Sequence, residues 1–199
     1  MKVLKIRAYT VDELPEEIQE KIHENFYDIN ISDDWWMPTF EAFNEKIQKD
    51  YGLEADPGRV EFDLYRYAKL RYSVADARKL LLALIPAERV AAFEFKRDAR
   101  IEDLVDIWIE DGRRVFASID PLARELDGDI DEIDSCVEDL LSDLDREFLR
   151  ALEEEYEYLT SREAVIETIN ASGWLFTRDG KRLDHLLLEG WRCTRKSAS

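Results

Sequence analysis

The chain predicts an α+β fold, with an antiparallel sheet built from hairpins, helices packed on one face of it, and one long acidic helix. Three observations lead there. Apolar residues alternate in several short segments, the period of a half-buried strand, and elsewhere recur every three or four residues, the period of an amphipathic helix. Two Asp-Gly pairs, Asp111-Gly112 and Asp179-Gly180, stand where alternating runs reverse, a hairpin signal. A sustained helical stripe then occupies Asp129 to Leu159.

Taken in order, Lys2 to Tyr9 alternates Leu4, Ile6 and Ala8 against Val3, Lys5 and Arg7, and reads as a strand rather than a signal peptide. Pro15 opens a helix carrying Ile18, Ile22, Phe26 and Ile29, with Glu16, Glu17 and Glu20 suited to its N-terminal dipole. A second helix starts at Pro38, buries Phe40, Phe43 and Ile47, and stops at Gly52. Gly58 to Ser73 reads as a hairpin, with Leu70 and Tyr72 on its return strand, and Ala75 to Ile85 as a helix ended by Pro86. Residues 90–97 fit a strand or a short helix. Leu104 to Ile119 is a hairpin about Asp111-Gly112. In the long helix the expected buried stripe is Ile133, Val137, Leu140, Leu144, Phe148, Leu152, Tyr156 and Leu159. Thr160 and Glu163 are spaced as a capping box for a helix to Asn170, and residues 174–183 form a terminal hairpin. The expected organisation is a single domain over residues 1–199.

Composition narrows the function. With 45% apolar and 37% charged residues, the chain is a folded protein with a heavily charged surface, not a disordered tail. No apolar run is long enough to span a bilayer. Cys136 and Cys193 make no zinc or redox spacing, and Cys136, beside Val137 on the long helix, is expected to be a small buried residue. That usage fits a reducing compartment, the cytoplasm. The net charge of −18 is uneven. Residues 1–100 hold 20 acids and 16 bases, residues 101–163 hold 22 and 6, and residues 164–199 hold 4 and 6. The acidic segment 101–163 therefore carries a net −16. Such a field repels nucleic acid and anionic membranes and attracts basic partners.

Within it, Asp129 to Glu157 contains 13 acids against Arg146 and Arg150. Over a helix of roughly 42 Å, this gives about one net negative charge per 4 Å, close to the roughly 3.4 Å phosphate spacing of a DNA strand. Asp131, Glu132, Asp139, Asp143, Glu147 and Glu154 are the candidate binding residues of this DNA-like surface. A solvated helix face is the plainer alternative, but it would usually interleave more Lys and Arg at four-residue offsets.

Other groupings are weaker. Asp33-Asp34-Trp35-Trp36 is either an aromatic hot spot or, the reading favoured here, a helix cap with two tryptophans stapled to the core. Glu61 and Asp63 share a strand face and are the weak candidates for a metal or acid/base pair, against ordinary cross-strand pairing with Lys69 and Arg71. Asp127, Asp129 and Asp131 lack the spacing of a calcium loop. His23 and His185 belong to no nucleophile or metal set, and no phosphate loop, dinucleotide fingerprint, nucleophile elbow or zinc-helix motif occurs.

Three stretches carry a resemblance. Asp12-Glu13-Leu14-Pro15-Glu16-Glu17 through Glu20-Lys21, with Tyr27-Asp28-Ile29-Asn30 to Asp34-Trp35-Trp36, is the first. The others are Glu153 to Glu163 and Ile169 to Lys181. Together they resemble a family of small acidic phage and prophage proteins, in places labelled the antitoxin of a toxin–antitoxin stability system. The resemblance implies a mobile-element origin and a setting in the cytoplasm of a bacterial host. It carries over no catalytic residue.

The function expected from these readings is a non-enzymatic, cofactor-free inhibitor. It would occupy a basic surface of a host defence effector or toxin, without binding nucleic acid or membrane itself. A carboxylate-metal hydrolase and a homo-oligomeric assembly protein, dimerising through its aromatic segments, are the alternatives.

Overall fold

The computed structural model describes residues 7–85, 87–88, 90–91, 94, 105–119 and 127–183. The strand expected over Lys2–Tyr9 falls mostly outside them, as do Pro86, His185 and Cys193. The helices are α1 (Glu16–Phe26), α2 (Met37–Tyr51), α3 (Ala77–Leu84), α4 (Asp127–Leu159) and α5 (Arg162–Ala171). The strands are β1 (Leu53–Ala55), β2 (Glu61–Asp63), β3 (Tyr67–Lys69), β4 (Tyr72–Val74), β5 (Val105–Glu110) and β6 (Arg114–Ile119). Residues 90, 91 and 94 are helical, the second of the two forms open to that stretch.

The α+β class holds, and every named strand pairing is antiparallel. The single sheet does not form among the described residues. The strands make three separate two-stranded sheets, β1 with β4, β2 with β3 and β5 with β6, so there is no common sheet face for the helices to cover. The cause is local. The hairpin expected over Gly58–Ser73 closes after three residue pairs, Glu61 opposite Lys69 through Asp63 opposite Tyr67. The chain then turns so that Tyr72 pairs with Ala55 and Val74 with Leu53.

Contacts group the chain into two compact units, Met1–Trp35 with Glu155–Ser199, and Trp36–Glu154. The terminal unit has its own core of Val11, Leu14, Ile22, Val165, Ile169 and Phe176. Ile22 is the buried centre of the α1 stripe, flanked by half-buried Ile18 and Phe26. The terminal hairpin expected over residues 174–183 forms no strands: Phe176 makes single antiparallel bridges, to Tyr9 on one side and to Arg182 on the other, which tie this turn to the start of the chain. The end of α4 leaves carbonyls without intrahelical partners. Asn30 Nδ2 donates to the Leu159 carbonyl at 2.9 Å, and His23 Nε2 lies 2.9 Å from that of Thr160. His23 is thus part of a helix cap.

In the central unit, α2 buries Phe40, Phe43 and Ile47 as its spacing predicts, and both Phe rings pack on Phe148 of α4. Gly52 ends α2 in the left-handed region at φ 64°. A Cβ there would stand 2.3 Å from the Asp76 carbonyl oxygen, so both backbone conformation and close approach require glycine. Asp76 itself caps α3 by accepting from the Lys79 amide at 3.0 Å. The hairpin β5–β6 turns at Asp111 (φ 53°) and Gly112 (φ 71°), the paired positive φ values that favour Asp-Gly in tight hairpins. No helix among the described residues is long and apolar enough to cross a membrane.

Candidate functional site

The helix α4 is where charge and packing meet. Val137, Leu141, Leu144, Phe148 and Leu152 are buried along one side of it. Leu141 takes the buried place expected of Leu140, which is half-buried. Cys136 is exposed, a correction to its expected burial. One residue before Val137, it is turned roughly 100° around the helix from the core stripe.

One carboxylate lies inside that stripe. Asp145 sits four residues after Leu141 and three before Phe148, and is 8% exposed. Its Oδ1 accepts from the Leu70 amide at 3.1 Å and from the Tyr72 hydroxyl at 3.0 Å. Its Oδ2 accepts from Arg113 Nη2 at 2.6 Å. A buried carboxylate is costly to desolvate unless its lone pairs are satisfied, and here an ion pair and two hydrogen bonds satisfy them. Burial first, and then the neighbouring Asp145 charge, push the Tyr72 phenol far above its ordinary range. The hairpin turn is tied to the same place. The Tyr72 amide donates to the Gly112 carbonyl at 3.1 Å, and Arg71 donates to that of Asp111. Asp145 thus joins the helix, the β3–β4 corner and the β5–β6 turn. The spacing to Leu141 and Phe148 was the sequence signal for it, an acid written into an apolar stripe.

Four other described acids of this helix point outward. At 3.6 residues per turn, Asp139, Asp143, Glu147 and Glu154 fall within about a quarter of the circumference, away from the Phe148 side. Asp139, Asp143 and Glu154 are exposed, and the Glu147 side chain is 41% exposed. Arg146 pairs with Asp143 at 3.0 Å, and Lys46 forms a close ion pair with Glu147. Donating a hydrogen bond to Glu147 raises the pKa of the Lys46 ammonium above its ordinary value. Neither Asp139 nor Glu154 forms an ion pair with another described residue. Asp131 and Glu132 are helical in backbone, and their side chains lie outside the described residues. Asp127, Asp129 and Asp131 belong to the first turns of α4, not to a loop.

The Trp pair divides between the units, and both rings are half-buried. Trp35 packs edge-on against Tyr156 in the terminal unit, and Trp36 against Phe40 and Phe62 in the central one. The expected Asp33–Asp34 cap is not made. Both carboxylates are exposed, and α2 begins without a side-chain cap because Trp36, already helical in conformation, occupies the N-cap position. The capping box expected at Thr160 is likewise not made, and the cap itself moves on by one residue. Ser161 caps α5 by accepting from the Ala164 amide, while the Thr160 hydroxyl donates back to the Tyr156 carbonyl.

Glu61 stands opposite Lys69 in the β2–β3 register, the pairing its alternation predicts. Asp63 pairs with Arg66 at 3.1 Å instead of with Arg71. Among the described residues no group of three His, Cys, Asp or Glu side chains is placed to hold a metal. In comparisons with protein-family models, with curated proteins and with solved structures, nothing matches this chain.

Proposed function

We propose that the protein is a non-enzymatic acidic binder of mobile-element origin. It inhibits a host defence or toxin protein by occupying a basic surface, such as a nucleic-acid-binding groove. One observation carries this reading: Asp139, Asp143, Glu147 and Glu154 line one side of α4, opposite the buried stripe, in a segment whose net charge is −16. Four carboxylates along one arc of a rod present a row of negative charge, and a complementary basic groove gains both steering and registry from it. Two of the four already have cations of their own in Arg146 and Lys46, so Asp139 and Glu154 contribute the least compensated charge. The phage-protein resemblance supplies the class of partner.

The test is capture of the partner from bacterial lysate on the immobilised protein, at low and at high salt. The expected result is retention at low salt, release at high salt, and loss of capture when Asp139, Asp143, Glu147 and Glu154 are all changed to Lys. A captured protein whose affinity and salt dependence are the same for the reversed chain would show that another surface does the binding.

A further inference from the structure

We infer that the outer face of the hairpin β5–β6 is an arginine-reading platform, on which Trp108 and Phe116 stack against a guanidinium group of the basic partner. This deepens the proposed function and rests on it. The alternation of the hairpin separates its two faces. Ile107 and Val115 are 4% and 6% exposed, whereas Trp108 and Phe116 are 44% and 37% exposed. The two aromatic residues are direct cross-strand partners. Their rings lie stacked, with centroids 5.6 Å apart and planes 17° from parallel. Cross-strand aromatic contact helps to hold a two-stranded hairpin together. That role needs the rings to touch one another; it does not need this much indole left in water.

Charge decides what such a face fits. The hairpin lies inside the segment of net −16. Exposed Glu110 and Asp111 adjoin the platform at the turn. Of the nearby arginines, Arg71 donates to the Asp111 carbonyl, Arg113 is engaged by Asp145 and Arg114 stands across from Glu110 in the register. A second copy of the chain would set −18 against −18, and a nucleic acid would bring its phosphates into the same field. A basic protein surface gains from the field and from the rings together. Between the two basic side chains, the planar and weakly hydrated guanidinium stacks on an aromatic face, whereas the ammonium keeps its water.

The experiment uses the full chain with deca-arginine and deca-lysine peptides of equal charge, titrated by calorimetry at low salt. Deca-arginine should bind more tightly than deca-lysine, by about two- to five-fold for a single exposed stacking contact. Trp108→Thr with Phe116→Thr, which keeps strand-forming residues at both places, should bring the two affinities together and leave deca-lysine binding unchanged. Should that double variant fail to fold, the indole N–H resonance of Trp108 in the unaltered protein, assigned through Trp108→Phe, provides the second reading. It should shift further with deca-arginine than with deca-lysine. Equal affinities in the unaltered protein, or an arginine preference that survives loss of both rings, would overturn the inference. The outcomes separate it from the reading beneath it. If both peptides bind equally and the fourfold acid reversal releases both, the acidic surface stands without the platform. If neither peptide binds, both fall.

Discussion

Asp143 and Asp145 lie two residues apart on one helix and occupy opposite environments. The Asp143 side chain is 68% exposed and pairs with an equally exposed Arg146, whereas that of Asp145 is 11% exposed and meets Arg113, Tyr72 and the Leu70 amide. An exposed ion pair contributes roughly 0–1 kcal/mol, because water already solvates both charges and two long side chains must be held still. The inward carboxylate has no water to fall back on. The acidity of this helix is therefore of two kinds, one facing solvent and one holding the fold, and counting charges mixes them.

The largest expected effect comes from removing the inward acid. Asp145→Ala strands an arginine, a phenol and an amide, and should lower the unfolding free energy by about 3–5 kcal/mol, read from urea titrations. Asp143→Ala should stay within about 0.5 kcal/mol of the parent. Equal losses for the two variants would break the distinction between the faces.

A second, smaller effect is pH-dependent. Burial and the Asp145 charge keep the folded Tyr72 phenol protonated, whereas in the unfolded chain it ionises near its ordinary value of 10.0. The unfolded state therefore releases its proton first, and stability falls as pH rises. The contribution is whole below pH 10 and declines above it, at about 1.4 kcal/mol for each pH unit. Lys46, held protonated by Glu147, shifts the same way at a more exposed site, so the measurement is the difference between parent and Tyr72→Phe in unfolding free energy across that range. A parent that keeps the same alkaline slope as Tyr72→Phe would show that the Asp145 cluster does not hold the phenol neutral.

The smallest effect sharpens the outer face. Cys136 is exposed, so in a Cys193→Ser background the folded protein should expose one thiol to a disulfide reagent without unfolding. Cys136→Ser should change stability by no more than about 0.5 kcal/mol. A thiol that reacts only in denaturant would place this turn of α4 inside the protein.

Local rules account for much of what was legible in the residues. The spacing of Phe40, Phe43 and Ile47, the stop at Gly52, the turn at Asp111-Gly112, the opposition of Glu61 and Lys69 and the long span of α4 all follow from periodicity and backbone chemistry within a few residues. The cap of α5 moved by one residue to Ser161 and the expected cap of α2 was not made, since a cap is decided by which side chain reaches a free amide. What periodicity could not decide was pairing between distant segments. Tyr72 leaves its hairpin for Ala55, Phe176 joins Tyr9, and Asp145 finds Arg113 across 32 residues of chain. A repeating pattern says which side of an element is apolar and nothing about what will cover it. The choice among covers, and hence the separation of the structural acid from the exposed ones, is made only when the whole chain is packed and each buried charge must find its partner.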